Sequence, residues 1–281
     1  GDEGWNRVKT KKNSGSVFLF TFSDKSFSGG ELVGRMGYGY KYDTTNDSPT
    51  CVGSGSCAVF EKDFDTSDSS NWTIGTHDAH DGFGRSVSLN DDGSLLSVGA
   101  YGDDGYSATA NHTDKKNYGA VHLFQFADTD FASPKMIGTI GSGYTGTNNV
   151  NASLAANEYF GTSVSIDSDA NRMAVGLLDH ADGGGTNKAG SVHLYSFSSA
   201  NSFAGASLEG TIGLGYTESK DVDLTDYLDA GDHFGHAVAL DGDGNRLVVG
   251  AIGDDGTIRG NPGAIYMFKF DDTDFTNGSV Y

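Results

Sequence analysis

Apolar and polar positions alternate along most of this chain with a period of two, in blocks that recur. From Phe234, the residues Phe234, His236, Val238 and Leu240 fall on one side and Gly235, Ala237 and Ala239 on the other, the spacing of an extended strand with a large face and a small face. Sister blocks begin at Phe83 and Phe160 and place Gly84, Ser86, Ser88 and Gly161, Ser163, Ser165 on the small side. Each runs through a short polar turn, such as Asp241-Gly242-Asp243-Gly244-Asn245, into a second alternating run that reaches Gly99, Gly176 or Gly250, 16 residues after its Phe. Turns of that chemistry predict a β-hairpin. A third block starts at Gly15, Gly119, Gly190 and Gly263, with aromatic or His residues on one face and aliphatic pairs, Val17/Leu19 through Ile265/Met267, on the other. Apolar character on both faces predicts a strand covered on both sides. A short fourth block, G-[TR]-[IM]-G-x-G-Y, starts at Gly34, Gly138 and Gly210. Four antiparallel strands repeating every 71 to 73 residues are the content of a β-propeller blade.

The predicted fold is therefore all-β, one propeller region over residues 1–281, with a partial blade at 1–40 and blades at about 83–145, 160–217 and 234–281. Thirteen strands make about three and a quarter blades, so the ring is incomplete on its own. Either the chain is part of a longer polypeptide, or strands of another copy complete its open ends by addition to uncovered sheet edges. Residues 41–80 interrupt the period, since the first repeat takes 104 residues against 71 and 73 in its sisters. This insertion holds Cys51 and Cys57, whose spacing in a Gly/Ser-rich stretch suits a small hairpin disulfide, with two free thiols as the alternative. It reads as a disulfide-braced decoration or as a recognition loop.

The pairs Phe83-Gly84…Gly99-Ala100 and Phe234-Gly235…Gly250-Ala251, each followed by a Gly-Asp-Asp-Gly turn, resemble the FG-GAP repeat of the integrin alpha-subunit propeller, and most closely its variant in large extracellular microbial and algal proteins. The resemblance spans nearly the whole chain and implies an extracellular propeller that works through protein contacts, in adhesion or surface structure. Tyr101, Leu178 and Ile252 stand where that family has proline, and the middle copy has a different turn, Asp179-His180-Ala181-Asp182-Gly183. The calcium loops of that family resemble D-x-[DN]-x-D-G-x-x-D. Asp241, Asp243 and Asn245 keep the alternation, but Arg246 replaces the glycine and Val249 the last carboxylate, so the loop cannot close around calcium in that manner. A plain turn is the simpler reading. Calcium stays the one cofactor considered, with Asp103, Asp104, Asp241, Asp243, Asp254 and Asp255 as its candidate ligands.

Composition narrows the partners. Eighteen basic against 38 acidic residues leave a net charge of −20, which excludes nucleic acid and anionic membrane surfaces as direct partners. No run approaches the length of a membrane span. Sequons at Asn46, Asn71, Asn111, Asn151 and Asn277 exceed the roughly three expected by chance and favour an extracellular or cell-surface glycoprotein. His122 and His193 occupy strand positions held by Phe18 and Tyr266 elsewhere and read as packing residues, while His77, His80, His233 and His236 are weak metal candidates. The Gly141–Gly146 match to a dinucleotide-binding turn fails for want of a following helix. No nucleophile elbow, zinc-hydrolase motif or Cys/His pair is present, and the expectation is a protein without enzymatic activity. The leading reading is a structural or adhesive repeat protein, a subunit of a filament or surface assembly. The alternatives are a glycan-binding propeller, using Tyr40, Tyr144 and Tyr216 of the fourth block, and the accessory propeller of a larger secreted enzyme.

Overall fold

The computed structural model describes residues 14–38, 40, 62–66, 80–106, 116–179, 188–256 and 262–281. These form strands and turns only, arranged in four sheets that follow the repeats in chain order. Blade I holds β1 (Ser16–Thr21), β2 (Glu31–Gly37) and β3 (Phe64–Asp65). Blade II runs β4 (Phe83–Leu89), β5 (Leu95–Ala100), β6 (Ala120–Gln125), β7 (Lys135–Gly141) and β8 (Val150–Asn151). Blade III repeats this as β9 (Phe160–Ile166), β10 (Arg172–Leu177), β11 (Ser191–Ser196), β12 (Ser207–Gly213) and β13 (Val222–Asp223). Blade IV has β14 (Phe234–Leu240), β15 (Arg246–Ala251), β16 (Ala264–Lys269) and β17 (Ser279–Val280). Neighbours pair antiparallel in sequence order, except the two-residue strands β3, β8 and β13, which lie parallel to β2, β7 and β12. The four sheets close no barrel; they are the blades of an incomplete propeller.

The hairpins form where the turn chemistry requires them. Asp241 Oδ1 accepts the backbone N–H groups of Asn245 and Arg246, and Asp167 Oδ1 those of Asn171 and Arg172, so the first turn carboxylate caps the loop it opens. Among the described residues seventeen strands stand against the thirteen expected. The difference is β3, β8 and β13, each two residues without alternation to betray them, together with β17, which opens a fourth strand in blade IV.

Adjacent blades are joined through main chain. The N–H groups of Phe83, Phe160 and Phe234 donate to the carbonyls of Ser14, Tyr118 and Ala189, beside bridges from Gly15, Gly119 and Gly190 to the same Phe residues. At Gly119 the backbone takes φ +87°, and a β-carbon there would lie 2.0 Å from the Phe160 carbonyl oxygen, so only glycine fits. Serines of the small face add side-chain bonds: Ser86 Oγ donates to the Gly161 carbonyl at 3.0 Å and Ser163 Oγ to that of Gly235 at 2.7 Å. The matching residue in blade IV is Ala237. Ser163→Ala leaves the Gly235 carbonyl without its side-chain donor and is expected to cost about 1 kcal/mol in urea unfolding; an unchanged midpoint would show that the bond contributes nothing.

The core is not inside any sheet but between sheets. Three apolar clusters each combine the aliphatic face of one blade with the aromatic face of the next. Val17 and Leu19 meet Phe124, Phe126 and Phe131. Val121 and Leu123 meet Tyr195, Phe197 and Phe203. Val192 and Leu194 meet Phe268, Phe270 and Phe275. Within each aromatic face a ring from the loop after the third strand stands edge-on to the last ring of that strand, as in Phe126–Phe131, Phe197–Phe203 and Phe270–Phe275, with centroids 5.0 to 5.1 Å apart.

Candidate functional site

The chemistry gathers where the acidic turn after the second strand meets the start of the first. In blade II Asp103 is buried, its Oδ1 accepting the Gly105 N–H at 2.7 Å and its Oδ2 the Tyr144 hydroxyl at 2.8 Å. The His122 Nε2 atom lies 3.8 Å from the same Oδ2, and His122 Nδ1 faces Thr139 Oγ1 at 3.0 Å. Buried Asp81 stands beside them, its carbonyl accepting the Gly102 N–H. Burial, and then the Asp81 charge, push the Asp103 carboxyl up to about 7, against the downward pull of the Tyr144 and Gly105 bonds.

Blade IV rebuilds this arrangement from other positions. Asp254 Oδ1 accepts the Gly256 N–H, and its Oδ2 the hydroxyl of Tyr266, which comes from the third strand rather than the fourth block. Burial of Tyr266 and its bond to Asp254 raise the phenol, and burial raises the Asp232 carboxyl, with the Asp254 charge adding to it. In blade III, whose turn departs from the pattern, Asp179 takes the Lys188 ammonium at 2.9 Å and faces His233 Nδ1 at 3.2 Å. His236 is lowered, first by burial and then by the Arg85 and His233 charges.

The remaining predicted residues sort as follows. Tyr40 and Tyr144 are buried and Tyr216 is half-buried, with the Arg35 guanidinium 4.8 Å over the Tyr40 ring. That placement leaves no row of open ring faces on which a sugar could stack. Asp104 Oδ1 accepts the Asn117 N–H, and Asp241 is occupied by its own turn. Asp243 is exposed and Asp255 half-buried. Among the described residues no three His, Cys, Asp or Glu side chains converge on a point where a metal ion could sit. Carboxylates already holding backbone N–H and phenol donors do not supply the six to eight oxygens calcium takes, so the described turns do not fit it. Asn151 and Asn277 are exposed, with Asn151 Oδ1 accepting the Gly143 N–H and Asn277 Nδ2 donating to Asp271. His80 is exposed. Cys51, Cys57, Asn46, Asn71, Asn111 and His77 lie outside the described residues.

Asp81 and Asp232, the partners that raise Asp103 and accompany Asp254, were not foreseen. Their signal is the acidic residue two places before each Phe of the first strand: Asp81, Glu158 and Asp232.

With that geometry in place, the known families can be set beside it. The sequence model of the FG-GAP repeat matches residues 75–124 and 228–268. This chain carries FG-GAP repeats. The two matches take in the hairpin and third strand of blades II and IV, and blade III, with Leu178 and its altered turn, lies between them. No curated protein matches the chain in sequence. Among solved structures it is similar to Sqt1 of Saccharomyces cerevisiae, 12% identical over 72% of this chain and 34% of that one, with a TM-score of 0.35. It is similar to the periplasmic gluconolactonase PpgL of Pseudomonas aeruginosa, 12% identical over 72% of this chain and 44% of that one, TM-score 0.38. A candidate 6-phosphogluconolactonase of Bacteroides uniformis is 10% identical over 70% of this chain and 55% of that one, TM-score 0.30. The chain thus spans roughly a third to just over half of these molecules.

One expectation is corrected by these likenesses. The chain was expected to lack enzymatic activity because no catalytic motif is visible, yet two of the similar structures are named as lactonases. A propeller assembles its centre from loops of several blades, so motif absence in one stretch of sequence does not exclude catalysis. At these scores no residue of this chain takes a catalytic role from the likeness.

Proposed function

We propose that this FG-GAP chain is an extracellular protein-docking module, serving adhesion or surface assembly. FG-GAP repeat domains generally mediate protein–protein contacts, and among the described residues no helix is long and apolar enough to cross a membrane. The observation that carries the reading is the exposure of large apolar side chains on blades I and IV. Phe18, Phe20, Phe22 and Phe27 of blade I and Val248, Ile265 and Met267 of blade IV are exposed, although their counterparts in blades II and III are buried. Clusters of exposed large apolar side chains mark protein interaction sites. The buried tyrosines favour this over a glycan-binding propeller.

The test is retention of secreted or matrix proteins on the immobilised chain. Binding should vanish when the bound fraction is first treated with protease and persist after periodate oxidation of its sugars. Phe20→Ser with Phe22→Ser should weaken it at least about tenfold while the far-UV spectrum stays unchanged. Binding lost to periodate and indifferent to the phenylalanines would sink the proposal in favour of glycan recognition.

A further inference from the structure

The two-residue strand that ends the sheets of blades I, II and III opens a short pattern, present three times: Asp65-Thr66-Ser67, Asn151-Ala152-Ser153 and Asp223-Leu224-Thr225. Each is an Asp or Asn followed two places on by a hydroxyl. Blade III shows what the pattern does for the fold. Asp223 Oδ1 accepts the Gly215 N–H at 2.8 Å, the Thr225 N–H at 2.9 Å and the Thr225 hydroxyl at 2.6 Å, so one carboxylate oxygen pins the turn of the fourth block and the hydroxyl folds back on it. In blade II Asn151 Oδ1 keeps the first of these bonds, accepting the Gly143 N–H at 2.7 Å. The amide caps that turn with its oxygen alone.

Asparagine in place of aspartate therefore changes the chemistry here and not the fold. The oxygen on Gly143 is kept, and the second carboxylate oxygen becomes a nitrogen, Nδ2, which has no hydrogen-bond partner among the described residues. Ala152 is buried while Asn151 and Ser153 are exposed, so the alternation of the strand turns amide and hydroxyl outward together. The other described sequon is built differently. Asn277 is exposed too, but it lies at φ +50° and its Nδ2 already donates to the Asp271 carboxylate at 2.9 Å, a charge-assisted bond that an incoming group must displace. In blade I the matching Asp65 is buried. Among the described copies of the pattern, blade II alone joins a free amide nitrogen, a hydroxyl and exposure.

We infer that Asn151 is an acceptor of an N-linked glycan on the exported chain. This rests on the extracellular part of the reading above and names the residue that is modified. The donor is a lipid diphosphate oligosaccharide: Nδ2 forms the bond to the anomeric carbon, the bond from that carbon to the diphosphate oxygen breaks, and one amide proton passes to a base of the transferring enzyme. The product still holds Gly143, because the new bond is made at the nitrogen and Oδ1 is untouched. β8 is the last strand of its sheet, and it carries no charge at the position where β13 carries Asp223. A hydrated oligosaccharide there takes over the task of that charge, keeping an open strand edge from pairing with another chain.

Secretion of the 281-residue chain from a glycosylating eukaryotic host tests this, read by peptide mass spectrometry after enzymatic glycan removal in heavy-oxygen water, which turns each glycan-bearing asparagine into a labelled aspartate. Asn151 should be labelled in most chains and Asn277 in few. Asn151→Asp, which restores the residue of blade III, and Ser153→Ala should each remove one glycan from the intact mass, and after deglycosylation each should melt within about two degrees of the native chain. An Asn151 left bare beside a labelled Asn46, Asn71 or Asn111 would overturn the inference and leave the extracellular reading intact; a secreted chain bare at every sequon would overturn it as well. If Asn151 is labelled in the host while the chain from its native source carries no glycan, the acceptor stands and the extracellular reading falls.

Discussion

Gly176→Ala should lower the melting temperature by roughly ten degrees, while Gly250→Ala, the same change at the same place in the repeat, should leave it within about two. A methyl group at Gly176 would lie 1.9 Å from the Gly235 carbonyl oxygen and 2.4 Å from Ser163 Oγ. The serine can turn away, but the carbonyl belongs to the backbone of β9's counterpart in blade IV and is tied into the junction by the Ser163 bond. Blades III and IV must therefore separate, opening a cluster that includes Val192, Leu194, Phe268 and Phe270, and overpacking of that kind costs about 3 kcal/mol. At Gly250 the same methyl finds space, with Ala237 its nearest neighbour at 3.6 Å. Thermal unfolding followed by circular dichroism checks the pair, and equal losses at both sites would show that Gly250 is as closely covered as Gly176.

Asp103→Asn is expected to abolish most of a fall in stability between pH 4 and 7. In the unfolded chain this carboxyl titrates near 3.8, whereas in the folded chain it is pushed up to about 7. The folded state therefore holds the proton more tightly. Its advantage is full below about pH 4 and is lost as pH rises through 7, because the unfolded chain ionises Asp103 freely while the fold must carry a charge away from water, beside Asp81. Three units correspond to roughly 4 kcal/mol at the upper limit. An amide is neutral at every pH; its oxygen can keep the Gly105 N–H while its NH2 donates to the Tyr144 hydroxyl oxygen, so the variant should show a flatter profile and equal or exceed the native chain at pH 8. The readout is the difference between the two profiles, since the remaining acidic charge acts on both. Parallel profiles would mean that Asp103 is solvated and ionised in the fold.

The blades were legible in the sequence because their signal is repeated. A single run such as Phe83–Leu89 is ambiguous, but three copies with glycine and small residues on the same side assign both strand and face. The 16-residue interval from Phe to Gly even marks the junction, since Gly99 and Gly176 are the residues on which the next blade's carbonyl rests. The two-residue parallel strands were hidden because so short a run carries no period. Phe27, Phe131, Phe203 and Phe275 recur at the end of polar loops, and they escaped notice because alternation describes strands and these rings lie just outside them, at φ of +49° to +62°. The acidic clusters were half visible. Asp103 and Asp254 stood out as turn carboxylates, but their meaning depends on burial, on Asp81 and Asp232 just before the first strand of the same blade, and on Tyr144 or Tyr266. Two different positions supply the same phenol, and no linear pattern shows that.

The junction between blades is built from the chain's common denominator, a carbonyl, an N–H and a glycine. Such a joint carries no address. Its main-chain part reads the presence of a neighbour and not its identity, and discrimination between junctions falls to the serine bonds and the packed side chains beside it. Strand sequences can then differ between blades while the spacing and the joint glycine are kept, as in FGRSVSLN against FGHAVALD. Individuality is left to the loops and the acidic corners.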